Sequence, residues 1–318
     1  MSAGVVVSAP AKINLCLGVG PVREDGFHAL ATVYQAIGLH DHVTVHDAEP
    51  GEDDSVTVRA GDRFAVAGVP TDGSNIAVRA ARLLAEHAGV ERRVRIEIDK
   101  GIPVMGGMAG GSADGAAALL ACHALWELER PREELVELAA ELGSDVPFAL
   151  VGGTAIGSGR GEVVTPLMTS GEYWWVVLES STGLSTPAVY REFDAGQDGP
   201  APAPEIPDEL MAALRGHDVA ELGAALSNDL QPAALRLRPE LATALDHGRL
   251  ASAHGAILSG SGPSCLFLCE GRSHAVQVAD ALGVLGLGAV SFAPGPVHGA
   301  RVVARGAEPT TGPTDGVR

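Results

Sequence analysis

Positive charge is what this chain has least of. Its 318 residues include 22 Lys and Arg against 40 Asp and Glu, a formal net charge of −18. Nowhere do five or six basic residues run together. Such an anionic surface repels a phosphate backbone, so nucleic acid is not an expected partner. Long apolar runs are missing as well. No stretch approaches the roughly 18 residues that a membrane span requires. Met1 to Val7 lack the basic start and apolar core of a secretory signal. The expectation is a cytoplasmic protein with no membrane attachment. Cysteine is scarce: Cys16, Cys122, Cys265 and Cys269 form no Cys-x-x-Cys pair. Cys265 and Cys269 would share one face of a strand about 13 Å apart, beyond the roughly 7 Å that a disulfide tolerates. They read as small buried hydrophobes in a reducing compartment. The eleven histidines are scattered without His-Glu-x-x-His spacing, so no metal held by protein alone is expected.

Apolar residues and glycine are what the chain does have. Hydrophobic residues make up 46% of it, enough for real cores, and the length favours two domains. Glycine concentrates in Gly101-Ile102-Pro103-Val104-Met105-Gly106-Gly107-Met108-Ala109-Gly110-Gly111-Ser112-Ala113-Asp114-Gly115. The alternating run Val94–Ile98 before it predicts a strand, and Ala116–Ala121 after it predicts a helix. A strand, a glycine loop and a helix N-terminus form a phosphate cradle: backbone can approach the anion, and free N–H groups point at it. Ser112 and Asp114 suit the capping position, and Ser112 alternatively offers its hydroxyl to a phosphate oxygen or Mg²⁺. No lysine stands between Gly111 and Ser112, so the loop is not a Walker A motif, and its spacing does not fit Gly-x-Gly-x-x-Gly. A plain packing connection between strand and helix is the alternative.

From Val5 to Val19 the pattern predicts a strand pair or one long bent strand. Ile13, Leu15, Leu17 and Val19 alternate, which projects Lys12 and Asn14 together from the other face. A lysine there is ordinarily at a solvated edge; two aligned polar groups beside Pro10 also suit a site. Asp25-Gly26 centres a turn that presents Phe27 and His28 together. Strands are expected at 32–37, 42–46 and 55–58, and a helix over 75–87. A helix is expected from Ala113 to about Glu127, and a second from Pro131 to Gly143. Asp145 follows it, where an aspartate is usually a turn former. Strands at 153–156 and 173–178, a flexible proline-rich loop over 195–207, and helices near 208–215, 219–226 and 239–251 come next. A second glycine turn, Ser259-Gly260-Ser261-Gly262, leads into a strand, and a helix at 275–282 with strands near 289–292 and 300–303 closes the chain. Strands and helices mix without strict βαβ alternation. The expected class is α+β, with helices packed on largely antiparallel sheets.

Three segments in order, Pro10 to Leu15, Pro103 to Gly115 and Leu258 to Gly262, resemble the three motifs of the GHMP small-molecule kinases. Arg23-x-Asp25-Gly26-Phe27-His28, Gly143 to Phe148 and Asn228-Asp229-Leu230 narrow the resemblance to the branch acting in the non-mevalonate isoprenoid pathway. It implies transfer of the ATP γ-phosphate to the 2-hydroxyl of a cytidine-diphosphate-linked methylerythritol, with Mg²⁺ riding on the nucleotide. Asp145 matches the catalytic base and Lys12 its partner. Residues 103–113 match the ATP phosphate loop, and Asn75 lies in the segment that flanks adenosine. Phe27 and Tyr190 would sandwich the cytosine, His28 would bond its edge, and Asn14 would face the substrate. The implied fold is the two-domain GHMP architecture: residues 1–160 binding ATP, residues 161–305 forming the C-terminal kinase domain, and a disordered tail over 306–318. Met105 and Ala109 stand where relatives carry glycine, Gly115 where alanine is common, and Phe27 where tyrosine is usual. Among same-class rivals, homoserine and mevalonate kinases fit the aromatic–histidine turn less well than a pyrimidine substrate does. A nucleotide-binding module without catalysis would not need both Lys12 and Asp145.

Overall fold

The computed structural model describes residues 4–61, 66, 68–104, 106–180 and 182–306. Met105, within the glycine loop, and residues 307–318 of the expected tail lie outside the described residues.

Alternating apolar residues at the start of the chain build one long antiparallel hairpin, β1 (Val5–Val22) and β2 (His28–Asp47). The two strands expected at 32–37 and 42–46 are thus a single one. The reason lies across the ladder: Pro10 has no N–H to donate, and the register steps from Pro10↔His40 to Ala11↔Ile37. The extra residues form a bulge that bends the strand without ending it. After the hairpin come β3 (Ser55–Ala60), α1 (Ile76–Ala88), β4 (Val94–Lys100) and α2 (Gly110–Leu125). α3 (Arg132–Leu142), α4 (Val146–Val151), β5 (Thr154–Ser158), β6 (Val163–Leu167) and β7 (Tyr173–Leu178) continue the chain. The remainder is α5 (Thr186–Ala195), α6 (Asp208–Gly216), α7 (Val219–Ala225), β8 (Ser227–Asn228), α8 (Gln231–Leu237), α9 (Glu240–Leu250), β9 (Gly255–Leu258), β10 (Cys265–Cys269), α10 (Arg272–Gly283), β11 (Val290–Gly295) and β12 (Arg301–Arg305). α4, α5, β6, β8, α8 and β9 are elements the sequence reading did not anticipate. α4 is too short, and α5 too sparsely apolar, for a clear period.

Eight strands form the first sheet in the order β12-β1-β2-β4-β3, with β5 on β2, β6 on β5 and β8 on β1. The second sheet is β11-β7-β10-β9 and antiparallel throughout. Among the described residues only the β3–β4 and β1–β8 pairings are parallel, so the α+β expectation holds. α2 is buried nearly all round, from Ala113 to Cys122, as befits a helix of small and apolar residues enclosed by other elements. Gly115 permits this: a Cβ there would lie 3.0 Å from Ile76 Cγ1 on α1.

Sheet membership does not follow a division at residue 160. β6, β8 and β12 all belong to the first sheet although they lie beyond that point. Trp175 on β7 donates to Gln35 on β2 (2.8 Å), and Tyr173, Trp175 and Val177 sit in the same core as Ile13 and Leu15. The proline-rich segment over 195–207 has no helix or strand beyond residue 195, yet it is seated on β1. A Cβ at Gly20 would come within 2.5 Å of Pro204 Cδ. Among the described residues no helix is long and apolar enough to cross a membrane.

All four cysteines are free and buried, and burial pushes the thiols of Cys16, Cys265 and Cys269 up to about 12. A thiol that stays protonated is a poor nucleophile. The native protein should therefore leave all four thiols nearly unreactive toward a disulfide reagent at about pH 8, with full reaction after denaturation. Rapid titration of any thiol in the folded state would contradict this packing.

Candidate active site

Lys12 is not at a solvated edge. At its position β1 is paired with β2 on one side and meets the Met108 carbonyl on the other, and Lys12 is only 7% exposed. Its Nζ donates to Asn14 Oδ1 at 3.1 Å and lies 3.3 Å from Asp145 Oδ1. Asn14 Nδ2 donates to Thr32 Oγ1 (2.8 Å), and the Thr32 hydroxyl donates to the Cys16 carbonyl (2.6 Å). This chain of donors fixes the lysine's direction. Asp145 precedes α4 at the N-cap, but its side chain makes no capping hydrogen bond. The backbone does turn here, Val146 N–H donating to Gly143 O at 3.2 Å, but the side chain takes no part in closing it and the carboxylate faces Lys12 instead. Below the pair, the Tyr34 ring lies 5.1 Å from Lys12 Nζ. Burial, with the Asp145 charge added, holds the Tyr34 hydroxyl well above its ordinary range, so it stays a neutral wall.

The glycine loop meets this pair through its backbone. Lys12 N–H donates to Met108 O at 3.1 Å, and Ser259 Oγ donates to Gly107 O at 3.0 Å. Gly107 has φ 74°, and a Cβ there would stand 2.4 Å from Ser259 O. Only glycine fits both conditions. The next left-handed position is occupied by an alanine: Ala109, at φ 56° and ψ 34°, is the N-cap of α2. That conformation costs a residue with a side chain roughly 1–2 kcal/mol.

Neither Ser112 nor Asp114 caps α2, contrary to the sequence expectation. No side chain caps that helix and no acid sits in its first turn, which leaves N–H groups and the positive end of the helix dipole for an anion. Ser112 is partly exposed. Asp114 turns inward to Lys100 Nζ (2.8 Å), which also bonds Asp41 Oδ2 (2.5 Å), while Asp41 Oδ1 accepts from the N–H of Gly101 (2.7 Å) and Ile102 (2.8 Å). This buried triad lies directly under the loop. Burial, with the Asp41 charge beside it, raises the Asp114 carboxyl well above the carboxylate range, and its Oδ1 is buried without a partner. The two carboxylate neighbours keep Lys100 charged despite its burial.

The second glycine turn is pinned from β8. Asn228 Nδ2 donates to the carbonyls of Leu258 (3.0 Å) and Gly260 (2.7 Å), while its Oδ1 accepts from Leu230 N–H (2.9 Å). Asp229 accepts from Val19 N–H on β1 (2.8 Å). At the far end of the β1–β2 hairpin, Phe27 is 50% exposed and touches Arg160, whose guanidinium is 5.1 Å from the ring centre. It does not staple the turn into the core. His28 stacks on Tyr190 with ring centres 4.9 Å apart, and its Nε2 lies 2.8 Å from Asp194. Burial, aided by the Asp145 charge, lifts the Tyr190 hydroxyl to about 12.

The structure therefore joins Lys12, Asn14, Asp145 and the loop, and separately joins His28 with Tyr190. Asn75 is engaged in structure: its Oδ1 caps α1 at Ala77 N–H (2.8 Å), and its Nδ2 holds Pro70 O (2.6 Å). Tyr34, Thr32, Asp41, Lys100 and Asp194 escaped the sequence reading, since only tertiary contact gives them a role. The histidines are not all scattered: the ligand atoms of His254, Glu270 and His274 lie within 4.8 Å of one another. His274 Nδ1, however, accepts the Glu270 N–H at 3.2 Å, which puts the neutral ring's proton on Nε2 and leaves it no free lone pair.

Residues 75–153 match the family described as GHMP kinases N terminal domain, and residues 210–284 match GHMP kinases C terminal. A 4-diphosphocytidyl-2-C-methyl-D-erythritol kinase of a Nocardioides strain is 54% identical over 296 residues, spanning 93% of this chain and 98% of that protein. Its counterpart in Thermobifida fusca is 54% identical over 304 residues, spanning 94% and 98%. A crystal structure of a 4-(cytidine 5'-diphospho)-2C-methyl-D-erythritol kinase superposes with a TM-score of 0.73 at 33% identity, over 92% of this chain and 99% of the other. Homoserine kinase from Cytophaga hutchinsonii reaches 0.74 at 20% identity over 94% and 97%, a likeness of fold alone. Fold and motif order define the class, that of the GHMP kinases. Within it, the chain belongs to the 4-diphosphocytidyl-2-C-methyl-D-erythritol kinase family.

Two outcomes follow from the loop. Gly107→Ala should destabilise the fold by about 2 kcal/mol or more, whereas Gly111→Ala, where a Cβ meets nothing within 4 Å, should be neutral or slightly stabilising. Equal melting temperatures for the two variants would contradict the contact with Ser259. For Asp114, the folded carboxyl binds its proton more tightly than the unfolded one does. Its contribution to stability is full at low pH and is lost as pH rises through its raised folded value. Asp114→Asn should therefore be at least as stable as wild type at about pH 8 and lose less stability on going there from about pH 5. Asp41→Asn, which leaves Lys100 without its ionised partner, should be strongly destabilised at every pH. The reverse ranking would assign the proton to Asp41.

Proposed function

We propose that the chain transfers the γ-phosphate of ATP to the 2-hydroxyl of 4-diphosphocytidyl-2-C-methyl-D-erythritol, giving the 2-phosphate and ADP, with Lys12 and Asp145 as the reacting pair. One observation carries this assignment: a buried lysine, locked by Asn14 and Thr32, lies 3.3 Å from a carboxylate that caps no helix, beside a glycine loop whose helix has no side-chain cap. Phosphoryl transfer needs little covalent help from protein; it needs alignment and charge. Asp145 takes the proton of the attacking hydroxyl. Lys12 steadies the charge that grows on the transferring group and keeps the Asp145 carboxylate directed at the site. The N–H groups at the start of α2 hold the nucleotide phosphates, while the Lys100 triad beneath keeps that backbone in place. Mg²⁺, when bound with ATP, neutralises phosphate charge. Ser112 is the loop hydroxyl that fits its coordination shell, being partly exposed and free of any partner among the described residues.

Substrate choice rests on Phe27, Tyr190 and His28. Phe27 offers an exposed aromatic face for the cytosine, Tyr190 the opposing one, and His28 the contact to the base edge. Asn14 serves by orienting Lys12, since both of its polar ends are engaged. Asn75 serves the nucleotide by fixing the start of α1 beside α2. The buried thiols and the acidic surface suit a cytoplasmic enzyme with no nucleic-acid partner.

The test is a kinase assay with the cytidine substrate, homoserine and mevalonate on wild type and three variants. Wild type should turn over the cytidine substrate alone. Asp145→Asn and Lys12→Ala should lose about 10²–10⁴ in kcat with ATP affinity little changed. Stacking on an aromatic is worth about 1–3 kcal/mol, so Phe27→Ala should raise the KM for the cytidine substrate roughly ten- to a hundred-fold. Because Phe27 is half-exposed, the melting temperature should hardly move. Normal turnover by Asp145→Asn, or a preference for homoserine or mevalonate, would overturn the assignment.

A further inference from the structure

One face of α5 makes two different contacts with the same imidazole. Tyr190 and Asp194 are four residues apart and so stand one above the other on the helix. Tyr190 stacks on His28 at 4.9 Å with the rings inclined by 29°, and the Asp194 carboxylate lies 2.8 Å from His28 Nε2. Phe193 closes the ring edge-on at 6.1 Å. α5 is itself anchored, because Arg236 on α8 donates to the Glu192 carboxylate (2.5 Å) and to the Glu192 carbonyl (2.9 Å). His28 thus has both its plane and its rotation fixed, with its side chain 9% exposed. Its Nδ1 has no partner among the described residues.

An ionised carboxylate only accepts hydrogen bonds. The ring nitrogen facing Asp194 must therefore carry the proton, and in the neutral imidazole Nδ1 is then a lone pair. We propose that Asp194 is a positioning residue that fixes this tautomer and so makes the pocket select a pyrimidine bearing an exocyclic amine. Cytosine presents an N4–H donor where uracil presents the O4 acceptor. An N–H meets the Nδ1 lone pair in the first case; two lone pairs oppose each other in the second. The inference rests on the reading of His28 as the contact to the base edge.

Two readouts test it. ¹⁵N spectra of the free enzyme should show the His28 proton on Nε2. Steady-state kinetics should compare the cytidine substrate with its uridine analogue in wild type, Asp194→Asn, Asp194→Glu and His28→Ala. Asp194→Asn keeps the shape but can donate an N–H to Nε2, which drives the proton to Nδ1. It should raise the KM for the cytidine substrate about tenfold and narrow the cytidine-over-uridine preference by a similar factor. Its kcat should stay within about threefold of wild type, with the KM for ATP unchanged. Asp194→Glu keeps an acceptor and should restore much of the preference. Asp194 is half-exposed, so the variants should fold. A proton found on Nδ1 in wild type would sink the inference. So would an Asp194→Asn enzyme with wild-type KM and preference while His28→Ala is impaired, and in that case the pyrimidine site would stand. If His28→Ala also binds the cytidine substrate normally, the base-edge reading fails first and takes this inference with it.

Discussion

The site depends on three stretches of backbone lying closer together than side chains would allow. The glycine loop, the middle of β1 and the turn before β10 touch through Lys12 N–H to Met108 O, Ser259 Oγ to Gly107 O, and a gap at Gly107 that no Cβ can enter. Each stretch comes from a different part of the chain, so the approach cannot form locally. It is held from outside by Asn228, which grips the turn from β8, and from below by Asp41, which takes the N–H groups of Gly101 and Ile102. Everything polar at the reacting centre is then aimed from a rigid frame. Lys12 sits on a central strand, and Asp145 at the head of a buried helix turn.

The buried Asp41–Lys100–Asp114 group shows how this frame tolerates charge. A lone lysine under the loop would be costly to bury. Two carboxylates answer one ammonium, and burial together with the Asp41 charge holds the Asp114 carboxyl well above the carboxylate range. Asp41 must stay an acceptor because two backbone N–H groups depend on it. The division of labour between chemically identical side chains follows from their neighbours.

Much of this was legible in the sequence because it obeys short-range rules. The period-two alternation placed Lys12 and Asn14 on one face, and the order of three motifs along the chain pointed to the class. What escaped was whatever needs a partner far along the chain. Asp114 looked like a helix cap because capping is a local property, while its partner Lys100 lies on the preceding strand and Asp41 further back still. Asp145 looked like a turn former for the same reason. Lys12 looked exposed because nothing local says that the glycine loop, nearly a hundred residues later, will lay the Met108 carbonyl against its strand opposite β2. The helix that bears Tyr190 and Asp194 was missed because its apolar positions are too few to mark a period.

The pairing of β1 with β12 has a bearing on how the chain is made. Val5 stands opposite Arg305, so the two ends of the folded body are neighbours. During synthesis the outer edge of β1 near its start is left without its partner until residues 301–305 have emerged, which makes that edge the vulnerable surface of the nascent chain. The same adjacency means that a short peptide could join the two ends and new termini be opened in an exposed loop, with the hairpin, the glycine loop and the reacting pair all left in their places.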